Sequence, residues 1–254
     1  MTGRALADYG RLLGVLRVEG ELLATSAMGT DPNLPVRYAE GMTLGDTVRH
    51  VGSVYRMVLA WLRSGDQPTR WQRAPVPGQS LAEYLRVGLR DIVAELSAHD
   101  PADAAPSWWP IDQTYGFWYR RLAHETTVHR YDAQTTAAAM TVTARFDEDI
   151  AYDGIDEVLS LWFTHRLGVL GVTNTWTGRV AVVAGRRRWI AQMTADGTAS
   201  WPAEPGEEAD ASVSTDPSGM YLWLWGRRPI GTATPDGERE AIEQLWYLLR
   251  LATR

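Results

Sequence analysis

Leu44, Val48, Val51, Tyr55, Val58 and Leu62 recur at alternating steps of four and three residues, a spacing that an α-helix turns into one continuous apolar stripe. Such a stripe has to be buried, so the chain is committed early to packing helix against helix. Thr43 stands where this helix should start, and its hydroxyl with Asp46 three residues on has the spacing of a capping box. Residues 4–25 predict an earlier helix. Ser80 and Glu83 repeat the capping-box spacing and open a helix to about Ala98, which must stop before Pro101. The loop PADAAPSWWP then leads into a helix over residues 113–139. Four long helices joined by loops predict an antiparallel bundle.

After Met140 the texture changes. DEDIAYDGIDEVLSLWFTHRLG reads as a helix, whereas RVAVVAGRRRWIAQMTA reads as two short strands around a turn at Ala184 to Arg187, with ASVS as a third. Asp216 and Pro217 form an N-cap and first-turn pair for a helix through MYLWLWGRR, and DGEREAIEQLWYLLRLA is a last helix. The expected organisation is a helical bundle over residues 1–142 and a small α+β domain over residues 143–254.

The chain has 254 residues, 45% of them hydrophobic, which is enough for packed cores. MTGRALADYG lacks a basic segment followed by an apolar run, and no stretch approaches the roughly 20 apolar residues of a membrane span. The expectation is a soluble, cytoplasmic protein without a membrane partner. A net charge of −6 argues against a nucleic-acid partner, because neutralising phosphates takes a broad cationic surface. There is no cysteine, so no disulfide, thiolate ligand or protein thiol nucleophile is available. Any thiol chemistry has to use a thiol from outside.

The stretch FWYRRLAHETTVHRYDA, residues 117–133, looks like a zinc-protease helix, but HExxH places its histidines four apart and here they are five apart. At about 100° per residue, His124 and His129 point about 140° apart, while Glu125 and His129 differ by only about 40°. Asp132 falls on the same side, with Trp118 and Leu122. Three ionisable groups therefore share an apolar face, where bare burial costs several kcal/mol. They need partners, and a metal ion is a strong one. The plainer reading of Glu125 and His129 is a solvated i, i+4 pair worth a few tenths of a kcal/mol.

A further ligand decides between the two. His50 lies on the broad apolar arc of its helix, away from Arg49, Arg56 and Arg63; alone it also reads as a satisfied core histidine. Together, His50, Glu125 and His129 suit Zn²⁺ or another divalent ion with coordination positions left open. Glu95 and His99 share the i, i+4 spacing, but at a helix end where His99 can simply favour the dipole. His165 has no companion at ligand spacing. Most of the twelve tryptophans occur at apolar helical positions and read as core, whereas Trp108 and Trp109 lie in a loop and are candidates for walling a substrate entrance.

TLGDTVRHVGSVY, RRLAHETTVHRYDA, DGIDEVL and LWLWGRRP, in this order, resemble the mycothiol-dependent maleylpyruvate isomerase family. The resemblance implies a DinB-like four-helix bundle followed by a small α+β domain. It places metal ligands on His50, Glu125 and His129, the three already selected by helix angle, and puts Asp132 near the metal and the thiol. It implies that an arginine of the second domain, Arg227 or Arg228, helps hold an anionic substrate; the alternative is a solvated turn. The implied function is that of a metal-dependent enzyme, with a divalent metal such as Zn²⁺ as cofactor and mycothiol as thiol cosubstrate. Its partners are then that small-molecule thiol and a small electrophilic acid, which it isomerises or to which it transfers the thiol. A non-catalytic metal, thiol or metabolite binder is the alternative. The substrate and the oligomeric state do not follow from the resemblance.

Overall fold

The structure is a computed structural model that describes residues 3–39, 41–138, 145–172, 174 and 176–253. It divides into two compact units, Thr2–Ala144 and Arg145–Arg254. The boundary expected near residue 142 falls outside the described residues. Among the described residues no helix is long and apolar enough to cross a membrane.

The first unit is a bundle of α1 (Tyr9–Ala27), α2 (Leu44–Ser64), α3 (Leu81–Ser97) and α4 (Tyr115–Ala137). Helix α1 starts later than residue 4 because Asp8 is its cap, accepting a hydrogen bond from the Arg11 N–H. On α2 the capping box forms in full: the Asp46 N–H donates to Thr43 Oγ1 at 3.1 Å and the Thr43 N–H to Asp46 Oδ2 at 3.1 Å. At α3 only half of it forms, the Glu83 N–H donating to Ser80 Oγ at 3.2 Å. The stripe from Leu44 to Val58 is buried as expected, but at its end Trp61 is buried and Leu62 is half-exposed. Trp61, about 100° around the helix from Leu62, instead packs edge-on against Trp118 of α4 with ring centroids 5.5 Å apart.

Helix α1 packs against α3 and α4, and α2 packs against both of the same helices. A hydrogen bond of 2.6 Å between the Tyr55 hydroxyl and Thr126 Oγ1 ties α2 to α4 in the core. Arg130 of α4 forms an ion pair with Glu19 of α1. These cross-links set the rotation of α4 relative to α2, which decides which side chains of the two helices meet.

The second unit is α+β. Its first helix runs as α5 (Glu148–Glu157), a π-helical stretch Val158–Arg166, and α6 (Leu167–Val169). Strands β1 (Gly178–Ala184), β2 (Arg187–Thr194), β3 (Gly197–Pro202), β4 (Ala211–Thr215) and β5 (Thr234–Gly237) form one sheet in the order β3-β2-β1-β4-β5. Only β1 and β4 pair in parallel, with Val182 opposite Val213; the other pairings are antiparallel. Helices α7 (Pro217–Leu224) and α8 (Arg239–Ala252) pack on β1 and β4, and the π-helical stretch packs on β3. The two-strand hairpin and ASVS were expected. The edge strands β3 and β5 were not.

Candidate metal centre

Helix α2 carries His50 and helix α4 carries Glu125 and His129, and the structure brings the three together. One ligand atom from each lies within 4.8 Å of the others. His50 Nε2 is 2.9 Å from Glu125 Oε1, and His129 Nε2 is 3.3 Å from the same oxygen. In a tetrahedral shell with metal–ligand bonds of about 2.0–2.1 Å, neighbouring donor atoms are about 3.3 Å apart. The two histidine-to-carboxylate distances lie at or just below that spacing, and the third separation is within 4.8 Å. The rings of His50 and His129 cross at 71° with centroids 5.2 Å apart.

The surroundings fix the carboxylate. Arg121, one turn earlier on α4, donates to Glu125 Oε2 at 3.3 Å, so the two oxygens of Glu125 face different partners. Burial pushes the Glu125 carboxyl pKa up, but the charge on His129, hydrogen bonds from His129 and His50, and Arg121 reverse this and hold it well below the usual carboxylate range. Burial also opposes a proton on His129; Glu125 and Asp132 outweigh it and push the imidazole pKa up to about 9. A group in this state is an anionic donor with a cationic ring beside it, poised to exchange a proton for a metal.

Asp132 is fully buried, with Oδ2 3.3 Å from His129 Nδ1. The pair falls short of good hydrogen-bond geometry, since His129 Nδ1 has no hydrogen-bond partner among the described residues. Charge attraction still acts at that distance. His124 is fully buried and lies outside the cluster, as the helix angle predicts.

Arg227 and Arg228 lie together in the second unit, on the turn that ends α7. This turn is a Schellman motif: the Arg227 N–H donates to the Leu222 carbonyl at 2.8 Å and the Gly226 N–H to Trp223 at 2.9 Å. Gly226 makes it possible, because its φ of 69° is left-handed and a Cβ there would sit 2.1 Å from the Arg250 guanidinium. The Arg227 side chain is buried and donates to the Trp225 carbonyl at 2.8 Å; Arg228 is half-exposed. Arg250 donates to the Leu224 and Trp223 carbonyls at the end of α7. Burial first, and then Arg227, lower its pKa to about 9.

One aromatic expectation changes, that for Trp109. Trp109 is 1% exposed and belongs to the core, and Trp108 packs edge-on against Phe117 with centroids 5.5 Å apart. Trp71, which the sequence did not single out, is the tryptophan beside the site: its ring meets His50 at 5.7 Å and 68°.

Residues 16–134 match the family described as the mycothiol maleylpyruvate isomerase N-terminal domain. Over this segment the bundle is similar to that family. His50, Glu125 and His129 all fall inside the matched segment. Among solved structures, the whole chain is similar to the crystal structure of the mycothiol-dependent maleylpyruvate isomerase, with a TM-score of 0.52 and 15% identity. It is similar also to a histidine-to-alanine mutant of that isomerase, with a TM-score of 0.59 and 13% identity. Each match covers 91% of this chain and 95% of the other. At such identities the likeness is one of fold. No curated protein sequence matches this chain at a significant level.

Proposed function

We propose that the protein is a metal-dependent enzyme that activates a low-molecular-weight thiol of the mycothiol type and adds it to a small electrophilic acid, with isomerisation as the leading reaction. The observation that carries this reading is the convergence of two imidazole nitrogens and one carboxylate oxygen within 4.8 Å in a chain that has no cysteine of its own. His50, Glu125 and His129 would hold the ion, and two histidines with one carboxylate fit Zn²⁺ while leaving coordination open. When bound, such an ion supplies a Lewis-acidic centre that favours thiolate over thiol near neutral pH.

The chain's own residues prepare that site. Glu125 stays ionised because His129, His50 and Arg121 surround it, and Arg121 occupies its second oxygen so that one oxygen is presented to the ion. His129 has to give up its proton to become a ligand. Asp132 faces the ring's other nitrogen and holds the imidazole with Nε2 toward Glu125. To these we add Arg227 and Arg228 as the source of the guanidinium that holds the substrate carboxylate, for which a planar fork is suited. Arg228, the more exposed of the two, is the first choice.

For isomerisation, the sulfur adds to one carbon of the substrate double bond and the thiol proton goes to the adjacent carbon. Rotation about the resulting single bond and the reverse elimination return both sulfur and proton, so the thiol is not consumed. Transfer would stop at the adduct. Incubating the zinc-loaded protein with mycothiol and a panel of unsaturated acids, while following free thiol and product geometry, tests this. Isomerisation changes geometry at constant thiol, and transfer consumes thiol in step with product. An enzyme reading fails if neither changes over a no-protein control.

A further inference from the structure

The loop between α2 and α3 is built to carry one aromatic side chain to the metal ligands. Ser53, one turn beyond His50 on α2 and buried, uses its hydroxyl twice on the loop: it donates to the Arg73 carbonyl at 3.1 Å and accepts from the Arg73 N–H at 3.1 Å. The Tyr84 hydroxyl of α3 lies 3.1 Å from Ser53 Oγ and donates to the same Arg73 carbonyl at 3.3 Å. Tyr84 is itself held. The Arg56 guanidinium sits 3.7 Å above its ring and donates to its carbonyl at 2.8 Å. Gly52 leaves the room for this, since a Cβ there would come within 2.7 Å of the Tyr84 ring.

The loop backbone is thus clamped at Arg73, two residues from Trp71. Trp71 meets His50 edge-to-face. His50 is also the most exposed of the three candidate ligands, at 28% against 15% for each of the others. An imidazole that is open to solvent and carried on another helix is the one most free to turn away. The tryptophan packs against that ring.

Resting on the metal-centre reading above, we propose that Trp71 is a positioning residue that locks the His50 imidazole in its ligand orientation, with Ser53 and Tyr84 holding the loop that presents it. Trp71 touches no reacting atom in this role. Its contribution appears in the affinity and geometry of the bound metal.

Titrating the metal-free full-length protein with Co²⁺ and recording its visible absorption tests the proposal, with thermal unfolding of the metal-free forms as the control for folding. Trp71→Ala is expected to weaken binding about 10–100-fold and to change the band intensities, while Trp71→Phe retains both. Ser53→Ala, which frees the loop and leaves Trp71 in place, is expected to weaken binding in the same direction by less. Wild-type affinity and spectrum in Trp71→Ala overturn the proposal. If Trp71→Ala does not fold, wild-type behaviour of Ser53→Ala overturns it. A wild type that binds neither Co²⁺ nor Zn²⁺ overturns the metal-centre reading itself, and the role of Trp71 with it.

Discussion

Glu95 and His99 at the end of α3 have the same spacing as Glu125 and His129 within α4, and each histidine also faces an aspartate through Nδ1. The distances are alike: 3.6 Å to Glu95 and 3.6 Å to Asp103 for His99, 3.3 Å to Glu125 and 3.3 Å to Asp132 for His129. The two glutamates are about equally buried, at 13% and 15% exposure, and what differs is the surroundings of the histidines. His99 is 38% exposed and stacks on Tyr115, and Glu95 is taken by Arg63 at 2.9 Å. His129 is 15% exposed, its aspartate is fully buried, and a second histidine arrives from α2 at 2.9 Å from the shared carboxylate oxygen. Spacing makes a pair; burial and a third donor from another helix make a site.

That contrast can be broken at the carboxylates first. Glu125→Ala removes the carboxylate that His50, His129 and Arg121 all face, and a loss of about 1.5–3 kcal/mol of stability at neutral pH is expected in denaturant unfolding of the metal-free protein. Glu95→Ala, which removes ion pairs whose basic partners Arg63 and His99 are 62% and 38% exposed, is expected to cost under about 1 kcal/mol. Equal losses at the two positions would end the distinction. At the aspartates, Asp132→Asn should lower zinc affinity about 10–100-fold in a competition titration, whereas Asp103→Asn should leave it unchanged.

A smaller effect is set by pH. The raised pKa of His129 contributes stability to the metal-free protein that is complete below its ordinary value of 6.5 and fades as pH rises through about 9. Glu125 works in the other direction: its lowered pKa contributes above the ordinary 4.5 and is lost as pH falls below it. The pair therefore supports the metal-free fold best between these limits. Because a metal has to displace the His129 proton, zinc affinity should rise as pH approaches about 9, by at most about tenfold per unit. An affinity that is flat over this range would contradict a protonated His129 that has to give way to the ion.

Much of this was legible in the sequence, and the parts that were not share a cause. Helix angle alone separates His124 from His129 and pairs the latter with Glu125, because side-chain direction within one helix is local geometry. His50 was legible as well, since its own helix puts it on the apolar arc. Trp71 was not. It lies in the Pro- and Gly-bearing connector QPTRWQRAPVPGQ, which has no period to read, and its place depends on hydroxyls of Ser53 and Tyr84 reaching the loop from two helices. Trp109 was misplaced for the opposite reason: a tryptophan in a loop invites an exposed reading, but here the loop packs its ring into the core.

The second unit shows the same division. The hairpin β1–β2 was legible from its apolar strands and its turn, and Asp216 with Pro217 correctly opens α7, the Gly219 N–H donating to Asp216 Oδ1 at 2.9 Å. The edge strands β3 and β5 have sequences GTASWP and TPDG, and β5 is exposed throughout. They are held by backbone pairing to one neighbour, which needs no apolar alternation. The π-helical stretch also left no sign in the residue pattern, though within it Thr164 Oγ1 donates to the carbonyl of Leu159, five residues back, at 2.9 Å.

Metal content tests the central claim most directly. Protein purified without chelator and measured by elemental analysis should carry about one divalent ion per chain, zinc foremost. His50→Ala and His129→Ala should lose it while His99→Ala keeps it. A correctly folded wild type that contains no metal and takes up no zinc when supplied, or a His99→Ala variant that loses metal as readily as His129→Ala, would contradict the account.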